Sequence, residues 1–175
     1  MPHAFPILVA LAIAAVAVRT FREGHQGETL ATAFRTAVIE ALRFGAVFLV
    51  LGPPLGAVLV MLPSIHKVVT EPSGISTMSF IMLFSYMLGG LPSLVTGIVT
   101  SAAHPSLGTK WVVLIAAIAG VITSALWLYG FLKTRADFPW LSQIIAFFAS
   151  GILAYFYIRR KSAALPKQPA TPVDP

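Results

Sequence analysis

Four long runs of apolar residues, none containing a charged side chain, dominate the pattern along this chain. They cover residues 44–62, 75–99, 111–132 and 140–158. At 1.5 Å per residue, the 19 residues of the first run would form a helix about 28 Å long, close to the hydrocarbon thickness of a bilayer. The pattern therefore predicts an all-α fold, a polytopic helical membrane bundle with four transmembrane helices in residues 44–158.

A fifth and shorter apolar stretch lies within residues 1–18 and is followed by Arg19 and Arg22. We predict a fifth span here with its amino terminus outside, because arginines that follow a span hold its far end in the cytoplasm. Two alternatives stay open. The small residues Ala15 and Ala17 resemble a signal-peptide cleavage site, and a stretch of about 17 residues is also short enough for an interfacial helix.

Residues 19–43 are predicted to form a cytoplasmic turn and an amphipathic helix. The turn is indicated by the two glycines Gly24 and Gly27. In residues 28–43, helical spacing places the polar side chains within an arc of about 140°. These are Glu28, Thr29, Thr32, Arg35, Thr36, Glu40 and Arg43. Such a helix would lie along the membrane interface, or it would be the cytoplasmic extension of the next span.

The first two long runs contain residues that weaken a helix, which we call the glycine–proline set. The set comprises Gly52, Pro53, Pro54, Gly56, Gly89, Gly90, Pro92 and Gly97. Proline removes a backbone donor and disfavours helix at the preceding residue, so the sequence predicts a kink or break at 52–54 and a second break at 89–92. The backbone carbonyls freed in this way must find partners inside the bundle.

The glycine–proline set has two interpretations. Small residues spaced four apart, such as Gly52 and Gly56, let neighbouring helices pack closely. Discontinuous helices at mid-depth also form substrate sites in secondary transporters. We favour packing, because neither of the last two runs contains an internal proline that would repeat the break.

Composition and charge narrow the class of protein. With 57% hydrophobic and 10% charged residues, the chain lies outside the range of soluble domains. Its net charge of +6 comes from basic residues at the ends of the apolar runs, so we expect lipid head groups and not nucleic acid as the partner. The distribution of the basic residues predicts a cytoplasmic carboxyl terminus. The proline-rich tail at 159–175 is predicted to be disordered. The compact loops suggest a bacterial inner membrane.

Candidate chemistry is sparse. The four histidines are spread over both predicted sides of the membrane, there is no cysteine, and the four long runs contain no ionisable acid, base or histidine. We therefore expect no metal, no cofactor and no enzymatic activity. Serines in the runs are expected to serve packing or hydrogen bonds between helices. They include Ser85, Ser93, Ser124 and Ser150.

These expectations favour a noncatalytic accessory, assembly or protective subunit that acts through helix–helix contacts. Its partners would be the lipid bilayer and another membrane protein or a second copy of the chain. The alternative is a small permease or channel for a neutral solute, ion or lipid, built around the predicted breaks at 52–54 and 89–92.

Overall fold

The computed structural model describes residues 4–27, 29–62, 66, 70, 74–104, 106–132 and 140–164 of the 175-residue chain. Within these ranges it contains five helices, each long and apolar enough to cross a membrane. They are α1 (Ala4–Gly24), α2 (Leu30–Met61), α3 (Gly74–Ala103), α4 (Thr109–Leu132) and α5 (Trp140–Ala164). The predicted all-helical fold is confirmed. The prediction of a disordered tail at 159–175 is wrong for residues 159–164, which continue α5 as helix, and residues 165–175 lie outside the described residues.

Helices α2 to α5 form a ring in which each helix packs against the next and α5 returns to α2. The most extensive contact is between α2 and α3, and α1 packs on the outside against both of them. One end of the bundle carries Arg19 and Arg22, where α1 ends and α2 begins. We call it the arginine end and the opposite end the far end.

The connection between α1 and α2 is a tight turn at the arginine end. Helix α1 continues past the predicted limit at residue 18 and ends at Gly24. Gly27 then adopts a φ of 95°, a left-handed conformation that glycine tolerates without strain. The side chain of Thr29 caps α2 by accepting a hydrogen bond from the Thr32 amide.

The sequence left two alternatives for residues 28–43, a separate interfacial helix or an extension of the next helix. Helix α2 runs without interruption through Arg43, so this segment is an extension of the second span. The reason is that one buried stripe continues across the predicted boundary. Its members follow helical spacing and are Ala33, Ala37, Ala41, Phe44 and Phe48. In addition, the predicted polar face is not wholly exposed to solvent, because Glu40 on that face is buried.

The structure shows no break at 52–54 or at 89–92, while a kink at 52–54 stays a prediction. Residues 52–54 lie inside α2 and residues 89–92 lie inside α3, and both helices continue past their prolines. Prolines are tolerated in such helices when a neighbouring helix supplies a donor for the freed carbonyl. For Pro54, a side chain of α3 supplies that donor.

Two arginines of α1 complete the hydrogen bonding at the end of α3. The last four carbonyls of a helix have no partner within it, which for α3 are those of residues 100–103. The backbone amides of His104 and Leu107 donate to Thr100 and Ala103. The remaining two carbonyls accept from the guanidinium groups, Arg19 Nη1 to Ser101 at 2.9 Å and Arg22 Nη2 to Ala102 at 2.7 Å.

Arg19 is almost fully buried, with 4% of the residue exposed, whereas Arg22 is only partly buried. Its Nε lies 2.7 Å from Glu23 Oε1, four residues along α1. A buried cation is tolerated when it is paired and hydrogen-bonded, and here it has both a carboxylate and a backbone carbonyl. Arg19 therefore fixes α1 to the end of α3.

Replacing Arg19 with alanine is expected to lower the free energy of unfolding by about 1.5–3 kcal/mol. The substitution removes a charge-assisted hydrogen bond to Ser101 and leaves Glu23 without its partner. Denaturant unfolding of the purified protein in mild detergent measures the change. The control is Arg35→Ala, since Arg35 is exposed on α2 and its loss should change stability by less than about 0.5 kcal/mol. Equal effects of the two variants would contradict this role of Arg19.

Candidate functional site: a cavity between four helices

A cavity of about 420 Å³ lies inside the ring formed by α2 to α5. Its walls are almost entirely apolar. On α4 it is lined between Gly120 and Leu128, and on α5 between Ser142 and Leu153. These segments belong to the halves of both helices that are nearest the far end. Along α5 the cavity is about 16 Å deep at 1.5 Å per residue.

The half of the bundle nearest the arginine end is packed. Its centre is one cluster of buried side chains that forms the floor of the cavity, with a smaller cluster beyond it. The first consists of Phe44, Phe48, Ala116, Leu153 and Ala154, and the second of Ala103, Val112 and Ile158. The rings of Phe44 and Tyr157 meet edge to face with centroids 4.5 Å apart. The cavity is therefore closed on this side.

The structure brings the glycine–proline set together between α2 and α3 but divides it between two roles. Five members line the cavity, namely Gly52, Pro53, Gly56, Gly89 and Pro92. Pro54, Gly90 and Gly97 do not. A Cβ atom added to Gly97 would lie 2.6 Å from the Phe44 carbonyl oxygen and 2.9 Å from the Cα of Gly45. At Gly97 the two backbones are thus in direct contact.

Gly52 and Gly56, proposed from their spacing as a packing pair, face different surroundings. A Cβ atom at Gly52 would lie 2.6 Å from Ser93 Oγ, so this glycine is needed for the approach of α3. At Gly56 the same atom would meet nothing within 4 Å. At Gly89 it would meet only the Pro53 Cβ, 4.0 Å away. Gly56 and Gly89 therefore leave space in the cavity and do not pack closely.

The carbonyl of Val50 is the acceptor that Pro54 frees, because a helical residue normally donates to the carbonyl four positions earlier. The hydroxyl of Tyr86 on α3 donates to Val50 O at 2.8 Å. The expectation that a freed carbonyl finds its partner inside the bundle is confirmed at this position. Sequence reasoning missed Tyr86, although a hydroxyl on the neighbouring span was the signal available.

Hydroxyl groups also join the other helices. Thr96 on α3 and Thr123 on α4 lie 2.8 Å apart through their Oγ1 atoms, and Thr96 donates to the Pro92 carbonyl at 2.8 Å. Ser124 on α4 donates to Gln143 Oε1 on α5 at 3.0 Å, which confirms the expected use of Ser124 between helices. Gln143 is 6% exposed and was not identified from the sequence as a buried residue.

The described ranges contain no group of three or more His, Asp or Glu side chains placed to hold a metal ion. The expectations of no metal and no cofactor stay predictions. The chain matches no protein-family model, no curated protein and no solved structure. Its function is therefore argued from the cavity and from the contacts between helices.

Replacing Tyr86 with phenylalanine is expected to lower the free energy of unfolding by about 0.5–1.5 kcal/mol, because the Val50 carbonyl loses its donor. In a Pro54→Ala background the amide of residue 54 can donate to Val50, so the same substitution should then cost close to nothing. The four proteins form a double-mutant cycle, measured by unfolding in detergent.

The matched control for this cycle is Tyr129→Phe, since Tyr129 is 80% exposed on α4. This variant should unfold like the wild type in both backgrounds. If Tyr86→Phe costs the same with and without Pro54, the hydroxyl does not compensate for the proline.

Proposed function

We propose that this chain is an integral membrane protein whose arginine end faces the cytoplasm, in a bacterial inner membrane. All lysines and arginines in the described ranges belong to this end by their position on the helices, and the three that the sequence assigns to the other end, Lys67, Lys133 and Arg135, lie outside those ranges. Those at the arginine end are Arg19, Arg22, Arg35, Arg43, Lys110, Arg159, Arg160 and Lys161. An excess of lysine and arginine on one side supports a cytoplasmic orientation of that side, and α5 then ends in the cytoplasm.

Within that setting, we propose a noncatalytic accessory, assembly or protective subunit that acts through helix–helix contacts. One observation carries the proposal: polar side chains of the bundle are used to join helices. Arg19 and Arg22 bind carbonyls of α3, Tyr86 binds one of α2, and Ser124 binds Gln143. Side chains employed in this way hold the scaffold and do not act on a substrate.

The outer surface supports the same proposal. Large apolar side chains project from the ring along the outer faces of α3 and α5. They include Leu83, Met87, Phe148 and Phe156, each more than half exposed. Such a surface suits either acyl chains or the helices of another membrane protein or of a second copy.

Purification of the full chain from its native membrane in a mild detergent tests this function. We expect it to elute with a stable partner or as a homo-oligomer, identified by native gel electrophoresis and mass spectrometry. An unrelated membrane protein of similar size, prepared in parallel, controls for nonspecific association. Elution as a solitary monomer would count against a subunit role.

The second candidate is a small permease or channel for a neutral solute, ion or lipid. The observation that favours it is the cavity, because five members of the glycine–proline set line it. A cavity between helices is a common location for a ligand site. Since Phe48 and Leu153 close the cavity toward the arginine end, transport would require these side chains to move.

Solute flux into vesicles containing the purified protein distinguishes this candidate. If it is correct, flux should fall when Pro53, Pro54 and Pro92 are replaced with leucine. The matched control is Pro6→Leu, because Pro6 lies exposed at the start of α1, away from the cavity. Absence of flux across a broad panel of solutes would exclude it.

A further inference from the structure

We propose that the cavity is a binding site for one acyl chain of a membrane lipid from the leaflet at the far end. This inference rests on the membrane placement proposed above but not on the subunit role, and it would supply the permease candidate with a ligand class. Four features of the cavity carry it: the chemistry of its walls, its depth, its rim and its floor.

The walls favour a hydrocarbon occupant. They are formed mainly by aliphatic and aromatic side chains, with a few serine and threonine residues between them. The hydroxyls of Ser85 and Thr96 already donate to backbone carbonyls of their own helix, those of Met82 and Pro92. A cavity with such walls offers water few partners, and left empty it would deprive the wall atoms of dispersion contacts. A flexible apolar chain supplies those contacts.

The dimensions also fit an acyl chain. A volume of about 420 Å³ lies within the range of small-molecule sites, about 300–1,000 Å³. The depth of about 16 Å along α5 is close to half of the ~30 Å hydrocarbon core. One leaflet contributes that half. A chain that enters at the far end would therefore reach the floor with its terminal methyl group near the middle of the bilayer.

The rim of the cavity is apolar and accessible. Phe80 and Phe84 on α3 both line the cavity and are exposed, by 66% and 44%, and their rings stack with centroids 5.8 Å apart. Val60 on α2 lines the cavity and is 50% exposed. An opening bordered by exposed apolar side chains faces hydrocarbon and not water when the helices lie in a membrane. The surrounding lipid is thus the molecule in direct contact with the entrance.

The floor is mainly apolar, although the hydroxyl-bearing residues Ser93 and Ser150 also line this part of the cavity. Phe48 is 1% exposed and Leu153 is 8% exposed, and both belong to the packed cluster. The hydroxyl of Thr96 is held by Thr123 and by the Pro92 carbonyl. A methyl terminus suits such a floor, since a polar terminus would lose most of its hydration and could regain only isolated contacts with serine hydroxyls.

The test uses vesicles of phosphatidylcholine that contain a fraction of phosphatidylcholine with a photoactivatable diazirine near the end of one acyl chain. The full chain is reconstituted and irradiated, and adducts are mapped by mass spectrometry of peptides. We expect adducts at Phe48 and Leu153, which lie at the floor. Leu83, exposed at 69% on the outside of α3, provides the reference for ordinary lipid contact.

Two variants fill the cavity without a clash. Gly56→Leu and Gly89→Leu place a side chain into space where an added Cβ meets nothing closer than 4.0 Å. Each should reduce the floor adducts by roughly tenfold, equivalent to ~1.4 kcal/mol of binding, while adducts at Leu83 stay unchanged. Gly24→Leu is the control, since Gly24 has equal free space at the end of α1 and does not line the cavity.

Thermal unfolding accompanies each measurement, and the two filling variants should be at least as stable as the wild type because leucine favours helix over glycine. If one of the two filling variants does not fold, the adducts measured in the other variant test the proposal. Adducts confined to exposed residues in the wild type would overturn the proposal. Floor adducts that persist in a folded filling variant would overturn it as well. Because the assay reads occupancy, its result is separate from that of the flux and purification experiments.

Discussion

The contact of α2 with α3, backbone against backbone, is the constraint on which the rest of the structure depends. Gly97 has no side chain, so the Phe44 carbonyl and the Cα of Gly45 occupy the space that a Cβ would need. The same alignment brings the Tyr86 hydroxyl to the Val50 carbonyl that Pro54 leaves without a donor. The same register of α3 against α2 therefore allows the two backbones to come close and gives the Val50 carbonyl its donor. A shift of α3 by one turn would lose both of them.

The two halves of the bundle differ in how tightly they are packed, because their small residues have different roles. Toward the arginine end, buried alanines and glycines such as Ala116 and Gly97 let helices meet, and the guanidinium groups of α1 close the end of α3. Toward the far end, Gly56 and Gly89 line the cavity and leave the space beside them open. Absence of a side chain brings helices together in the first case and leaves volume between them in the second.

Sequence reasoning identified the features that depend on composition alone. Four charge-free runs of bilayer length and one shorter apolar stretch predict the helices, and the start of α5 at Trp140 agrees with the start of its run. Features that depend on a second helix were not predictable. Continuity at Pro54 requires a donor from α3, and the role of Arg19 requires knowledge of where α3 ends. The glycine–proline set was recognised as special, but only the three-dimensional alignment shows that Gly52 lies against Ser93 while Gly56 leaves open space, although both line the cavity.

The uneven filling of the bundle has a mechanical consequence. Close-packed protein interiors are stiff, and internal voids are what pressure acts on. The half around Phe48 and Val112 should therefore resist compression, whereas the half around Gly56 and Gly89 should be compliant. If the helices cross a membrane as proposed, changes in lateral tension or membrane thickness would then deform the molecule mainly at one leaflet. A force that acts equally on both leaflets would then change the shape of the protein mainly in one of them.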